Sequence, residues 1–89
     1  MTDPLDAAWL VPAQVSIRPE RFGALLYHFG TRRLSFLKSR ALFEVVSSLG
    51  DHPTARDACV HAGVPDAELP AYRRALAALA ASDMIRERT

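Results

Sequence analysis

The stretch "FGALLYHFGTRRLSFLK", residues 22–38, decides the fold class, because it is typical of two antiparallel strands joined by a short turn. Apolar and aromatic residues recur along both halves, and Gly30 and Thr31 separate the halves. Gly30 at the first position of a two-residue loop fits a type II′ turn. A four-residue loop keeps the same side chains opposite one another, so it stays open as an alternative. We therefore predict a β-hairpin.

The register of this hairpin predicts which side chains share a face of the sheet. The two-residue loop places Tyr27 opposite Leu34. The next pair on the same face is Leu25 and Phe36. Leu37 falls on the opposite face, where an apolar side chain beside an open edge is typical of an interface. The predicted buried face contains Leu25, Tyr27, Phe29, Leu34 and Phe36.

A further strand is predicted before the hairpin. Val15 and Ile17 alternate with polar neighbours, and Pro19 is predicted to end the strand. Residues 1–14 have no sustained apolar period, so we predict an irregular N-terminal arm there. Residues 15–89 are predicted to form the folded domain.

The apolar period changes from two to about 3.6 after the hairpin, which indicates helices. Ser39 is the predicted N-cap of the first helix, and Gly50 is predicted to end it. Thr54 is the predicted N-cap of the second helix, and Gly63 is predicted to end that one. Two short helices therefore follow the hairpin directly.

The third predicted helix opens at Asp66 or near Pro70 and has its own apolar seam. Alanines flank the seam and leave a slim surface that another backbone can approach closely. Three strands followed by three helices predict an α+β fold, in which the helices cover one face of a three-stranded antiparallel sheet. The seam contains Leu69, Tyr72, Leu76 and Leu79.

The composition argues against several function classes. Eleven Lys and Arg residues oppose ten Asp and Glu residues, giving a net charge of +1, whereas nucleic-acid modules usually carry a much larger basic excess. The one cysteine, Cys59, is predicted to be buried, and the three histidines have no metal-ligand spacing. No phosphate loop or nucleophile elbow is visible. We therefore expect a protein without catalytic activity, metal or other cofactor.

The N-terminal sequence and the hydropathy predict the compartment. The start "MTDPLDAAWLVPAQ" has no basic region and carries two aspartates, unlike a secretory signal. No stretch approaches the roughly 18 apolar residues of a membrane span. We expect a cytoplasmic protein that does not act at a membrane.

Three segments carry a resemblance to a known family: "VSIRPERFGALLYHFGTRRLSFLKS", "ALFEVVSSLGDHPT" and "AYRRALAALAASDMI". They resemble the small chaperones of mycofactocin biosynthesis over residues 15–85. That family belongs to the precursor-recognition elements of ribosomally made, post-translationally modified peptides, and it is similar to the D protein of pyrroloquinoline quinone biosynthesis. The resemblance implies a winged-helix-like fold whose third strand is exposed at a sheet edge.

The resemblance also implies a partner and a site. The leader of a precursor peptide would lie as an added strand between the third strand and the third helix, and the complex would meet a radical S-adenosylmethionine maturase. An exposed edge suits this mode, because its N–H and C=O groups are unpaired. Arg33 or Arg73 would pair with a leader carboxylate, and a proline at Ser35 is predicted to remove an edge donor. The implied peptide-binding residues are Arg33, Leu34, Ser35, Phe36, Leu37 and Lys38 on the strand and Tyr72, Arg73, Leu76, Leu79 and Ala80 on the helix.

Two other functions stay open at this point. A winged-helix protein would bind nucleic acid through its third helix, where Arg73 and Arg74 are the available cations. A structural subunit would pair its open edge with a second copy, and we expect a monomer or a weak dimer. Salt dependence of binding separates the first from a peptide binder, and concentration-dependent mass reveals the second.

Overall fold

The computed structural model describes residues 3–88. Met1 and Thr2, in the predicted arm 1–14, and Thr89, in the predicted domain 15–89, lie outside the described residues. The strands are β1 (Trp9–Leu10), β2 (Val15–Glu20), β3 (Gly23–His28), β4 (Leu34–Leu37) and β5 (Arg86–Glu87). The helices are α1 (Arg40–Ser47), α2 (Ala55–His61) and α3 (Leu69–Ala81), with short 3-10 turns at Pro4–Asp6, Leu49–Asp51 and Asp66–Glu68.

An antiparallel sheet in the order β2-β3-β4 precedes the three helices, so the predicted α+β architecture is confirmed. The strands β1 and β5 form a separate two-stranded antiparallel pair. Within the described part of the chain, no helix has both the length and the apolar character needed to cross a membrane.

The hairpin of β3 and β4 has the predicted register, since Tyr27 pairs with Leu34. Its buried face is the opposite of the predicted one. Leu26 and Leu37 are fully buried, whereas Leu34 and Phe36 are 55% and 58% exposed. The predicted buried face is therefore wrong, and so is the predicted exposure of Leu37.

The physical reason is that β3 is apolar on both faces. Residues 24–27 read Ala-Leu-Leu-Tyr, so alternation alone does not say which face the helices cover. The helix α1 begins three residues after Leu37 and packs against β3, which places the Leu37 side of the sheet in the core. Gly23 has a φ of 153°, and a Cβ there would lie 2.1 Å from the Leu37 carbonyl oxygen. A glycine is therefore required where the start of β3 meets the end of β4.

The hairpin loop has four residues, 29–32, so the predicted two-residue type II′ turn is wrong and the four-residue alternative is correct. The His28 N–H donates to the Arg33 carbonyl at 3.0 Å and closes the loop. Gly30 does not have the positive φ that a type II′ turn requires. The ring of His28 stabilises the loop, because its Nδ1 accepts the backbone N–H groups of Gly30 and Thr31, both at 3.0 Å.

The helices begin where the sequence predicts. Ser39 Oγ accepts a backbone N–H at 3.0 Å and Thr54 Oγ1 accepts one at 3.2 Å, so both N-caps are confirmed. Gly63, with a φ of 81°, follows α2 as predicted. The predicted end of the first helix at Gly50 is wrong, because α1 ends at Ser47 and Gly50 lies in a 3-10 turn.

The N-terminal segment packs into the same core as the helices. Leu5 is fully buried and Trp9 is 7% exposed, with the indole Nε1 donating to the Pro4 carbonyl at 2.8 Å. The Ala55 N–H, at the start of α2, donates to the Ala7 carbonyl at 3.0 Å. The segment predicted as an irregular arm therefore contains a 3-10 turn and β1 and contributes to the core.

Candidate functional site

A groove runs between β4 and α3, where the resemblance implies a peptide-binding cleft. Its larger cavity is about 370 Å³. A second cavity of about 230 Å³ shares Lys38, Leu42 and Ala75 with the first, so the two form one continuous groove, the β4–α3 groove. The lining residues are Ser35, Phe36, Leu37, Lys38, Ser39, Leu42, Glu68, Ala71, Tyr72, Ala75, Ala78, Leu79 and Ser82.

The length of the groove fits a short extended peptide. Glu68 lines one cavity and Ser82 the other. The two residues are 14 positions apart along helical backbone, which corresponds to roughly 21 Å at 1.5 Å per residue. An extended chain covers that distance with about six residues.

Two neighbouring stripes of α3 have different roles. Leu69, Tyr72, Leu76 and Leu79 are buried in the core, as the predicted seam requires. Tyr72 and Leu79 of this seam also line the groove, but the rest of the α3 wall is the neighbouring stripe of small residues. Its spacing of four, three and four residues keeps it on one face of the helix. The groove stripe contains Ala71, Ala75, Ala78 and Ser82.

The structure brings some of the predicted site residues together and leaves others apart. Leu76 is fully buried, and Ala80 packs against the core. Arg33 and Leu34 are exposed and lie outside the lining. Sequence reasoning did not assign Leu42 or the groove stripe to the site, although the alanines beside the seam were a usable signal. The predicted residues that line the groove are Ser35, Phe36, Leu37, Lys38, Tyr72 and Leu79.

Arg73 lies on the far side of α3 from the groove stripe, because the helical spacing turns it away from Ala71 and Ala75. Its Nε is 2.9 Å from Asp3 Oδ2, so the guanidinium already has a carboxylate partner within the chain. The backbone N–H of Leu5, at 2.9 Å, and the Arg73 guanidinium together hold the pKa of the Asp3 carboxyl below its usual value of 3.8. The geometry does not favour Arg73 as a contact for a leader carboxylate.

Replacing Arg73 by Gln tests this assignment. Because the folded-state pKa of Asp3 is lowered, its charged form stabilises the fold above about pH 4, and this contribution is lost as the pH falls through the lowered pKa. In urea titrations, Arg73→Gln should therefore unfold at lower urea than the wild type at pH 7, and the difference should shrink as the pH is lowered from 4 toward 2. The neighbouring Arg74→Gln should not change the midpoint at any of these pH values. A larger difference at pH 2 than at pH 7 would contradict the pairing.

The free edge of β4 offers donors and acceptors to an added strand. Because the His28 N–H donates to the Arg33 carbonyl, the N–H groups of Leu26 and Ala24, two and four residues earlier on β3, also point toward β4, so Leu26–Ser35 and Ala24–Leu37 are the hydrogen-bonded pairs. The residues between them, Leu34 and Phe36, therefore direct their N–H and C=O groups away from β3. Among the loop, turn and cap hydrogen bonds of residues 3–88, none involves either of these two backbones. The predicted use of Ser35 as an edge donor is wrong, because its N–H faces β3.

The opposite edge of the sheet, on β2, is largely closed to an added strand. There the hydrogen bond from the Phe29 N–H to the Gln14 carbonyl directs the N–H positions of residues 15, 17 and 19 outward. Pro19 has no N–H, and the Val15 N–H donates to the Pro12 carbonyl at 3.0 Å. Only Ile17 offers a donor on this edge, so β4 is the better template for strand addition.

The surface of the groove is mainly apolar, and its lining includes one positively charged and one negatively charged side chain. Lys38 lies at the end of β4 and Glu68 just before α3. Burial raises the pKa of the Tyr72 hydroxyl, so that side chain is neutral at pH 7. Cys59 is buried as predicted, and burial raises the pKa of its thiol. Among residues 3–88, no group of three His, Cys, Asp or Glu side chains is placed to hold a metal ion.

Comparison with known proteins identifies the family. The sequence profile of the peptide chaperone MftB family matches residues 8–86. The chain belongs to the MftB family. The resemblance to mycofactocin chaperones is therefore confirmed, and the predicted chaperone class is confirmed at the level of the family. The match begins inside the segment predicted as an arm, in agreement with the burial of Trp9.

Curated relatives from mycobacteria agree with this assignment. The chain is 59% identical over 80 residues to the peptide chaperone MftB of Mycobacterium ulcerans. The aligned region covers 90% of this chain and 73% of the relative. The chain is 57% identical over 80 residues to the peptide chaperone MftB of Mycolicibacterium smegmatis, covering 90% and 78%. It is 54% identical over 80 residues to the peptide chaperone MftB of Mycobacterium tuberculosis, covering 90% and 73%. No solved structure matches the chain.

Proposed function

We propose that this chain is a non-catalytic cytoplasmic chaperone that binds the leader of a ribosomally made precursor peptide as a strand added to β4. The single observation that carries this proposal is the open edge of β4 directly beside the β4–α3 groove. Backbone pairing supplies affinity that tolerates different sequences, and the groove selects among side chains. Membership of the MftB family supports a peptide as the ligand.

The bound leader is presented to a radical S-adenosylmethionine maturase in mycofactocin biosynthesis. The resemblance of this chain to mycofactocin chaperones supports this partner. Copurification tests it: the tagged chain should retain the radical S-adenosylmethionine maturase of mycofactocin biosynthesis from the same organism, and the leader should increase the retained amount. Retention of the maturase neither with nor without the leader would contradict this part of the proposal.

Titration of a fluorescein-labelled leader peptide tests peptide binding itself. The leader of a mycofactocin precursor peptide from the same organism is the probe, and we expect saturable binding with one peptide per chain. The affinity should change little between low and high salt, because backbone pairing and apolar contacts dominate. A steep loss of affinity with salt would instead favour the nucleic-acid alternative.

The substitution Ala78→Leu should block part of the groove and weaken leader binding about tenfold. Ala78 is exposed and lines the groove, so a larger side chain occupies space that the peptide needs. Steric overlap of this kind costs roughly 1–3 kcal/mol. Ala77→Leu is the matched control, because Ala77 is also exposed on α3 but does not line the groove. Equal losses of affinity in the two variants would contradict binding in the groove.

A further inference from the structure

An apolar patch is exposed on the sheet face that points away from the helices. Leu34 and Phe36 are 55% and 58% exposed. Phe22 is 47% exposed, and its ring centroid lies 6.1 Å from that of Phe36. These three side chains form what we call the outer patch. Exposed apolar side chains in contact with one another are more informative than isolated ones.

The outer patch lies beside the open edge, and the apolar surface of this face ends before β2. The same face of β2 carries Ser16 and Arg18, the cross-strand neighbours of Tyr27 and Leu25. Arg18 Nε forms an ion pair of 3.1 Å with Glu20. The face is therefore polar at β2, whereas Leu25 and Tyr27 make it apolar at β3 and the outer patch makes it apolar at β4. Its location fits a narrow occupant along β4 better than a second folded chain covering all three strands.

A strand added to β4 must contact both the groove and the outer patch. Successive side chains of a strand point to opposite faces of the sheet. Peptide residues opposite Ser35 and Leu37 point toward the groove and α3. The residues opposite Leu34 and Phe36 point to the other face and cover the outer patch. Phe36 joins the two surfaces, since it also lines the groove.

We infer that the peptide bound at β4 is recognised on both of its faces. Every second peptide residue faces the groove, and the residues between them face the outer patch; we call these the groove-facing and the patch-facing residues. The inference rests on the proposed function and specifies its ligand class. The ligand is an extended segment with apolar side chains at adjacent positions, not only at every second position. The outer patch is thus a second specificity determinant of the same site.

A serine scan of the leader tests this with the native chain. The probe is the fluorescein-labelled leader of a mycofactocin precursor peptide from the same organism, with each apolar residue replaced by serine in turn. Serine replacement should lower the affinity about fivefold at groove-facing and at patch-facing residues alike, within the roughly six residues that the groove accommodates. Losses at every second position alone would overturn the inference and leave the proposed function intact. An unmodified leader that does not bind would overturn the proposed function and, with it, the inference.

The variant Leu34→Thr identifies which peptide residues contact the outer patch. Threonine keeps the strand propensity but removes much of the apolar surface, and leader affinity should fall about fivefold. In this variant, serine replacement of the patch-facing leader residues should lower the affinity no further, whereas replacement of the groove-facing residues should lower it as much as in the native chain. The control Val60→Thr, at a 65% exposed position on α2, should leave affinity unchanged.

Two outcomes of this variant would overturn the inference. One is that Leu34→Thr changes the effects of serine replacement equally at groove-facing and patch-facing leader residues. The other is that Leu34→Thr leaves the leader affinity unchanged but weakens self-association of the peptide-free protein, measured as a smaller increase of its mass with concentration. That second result would assign the outer patch to a contact between two copies of the chain.

Discussion

The substitution Leu37→Ala is expected to destabilise the protein by about 3 kcal/mol. Leu37 is fully buried between the sheet and the helices, and truncation of a buried leucine costs roughly 2–5 kcal/mol through lost burial and the cavity left behind. Urea unfolding monitored by the fluorescence of the one tryptophan, Trp9, measures the loss. Because small domains are marginally stable, a loss of this size moves the unfolding midpoint far down.

The matched control is Leu34→Ala, the same chemical change on the same strand. Leu34 is 55% exposed, so its truncation should cost less than about 1 kcal/mol. The ratio of the two losses reports which face of the hairpin is buried. A larger loss for Leu34→Ala than for Leu37→Ala would mean that the sheet is covered on the other face.

The substitution Phe36→Pro is expected to weaken leader binding roughly 30-fold while the fold is retained. Proline removes the outward N–H of Phe36, and its ring occupies the position of the paired peptide backbone. An unpaired acceptor on the peptide costs roughly 1–3 kcal/mol, and each 1.4 kcal/mol is about tenfold in affinity. Fluorescence anisotropy with the labelled leader measures the change.

Two further variants separate the backbone from the side chain at this edge. Phe36→Ala keeps the N–H and should lose less affinity than Phe36→Pro. Ser35→Pro should unfold the hairpin, because the Ser35 N–H bonds to β3. Equal binding losses for Phe36→Pro and Phe36→Ala, with the fold intact, would show that the backbone of Phe36 does not pair with the peptide.

The order of the three sheet strands and three helices and the hairpin register could be predicted from the sequence because they depend on local signals, whereas the pair of β1 and β5 was not predicted. The change of apolar period at Ser39, the capping side chains and the parity of the loop are all short-range features. The loop conformation could not be predicted, because the ring of His28 replaces the glycine-based turn as its organiser. That role of a histidine has no recurrent sequence signature.

The buried face and the details of the site depend on contacts between distant residues. Both faces of β3 are apolar, so only the packing of α1 decides that Leu37 is buried and Phe36 is exposed. The pairing of Arg73 with Asp3 joins residues 70 positions apart, and no local pattern predicts it. The location of the groove was implied by the family resemblance, and the open edge of β4 beside the alanine-rich α3 agrees with it.

Amide hydrogen exchange, measured by NMR on the protein with and without saturating leader, tests strand addition to β4 most directly. In the free protein the amides of Ser35 and Leu37, bonded to β3, should exchange slowly, and those of Leu34 and Phe36 should exchange fast. The leader should slow the exchange of Leu34 and Phe36. Unchanged fast exchange of both, with the leader fully bound, or new protection at Ile17 on the opposite edge would contradict strand addition to β4.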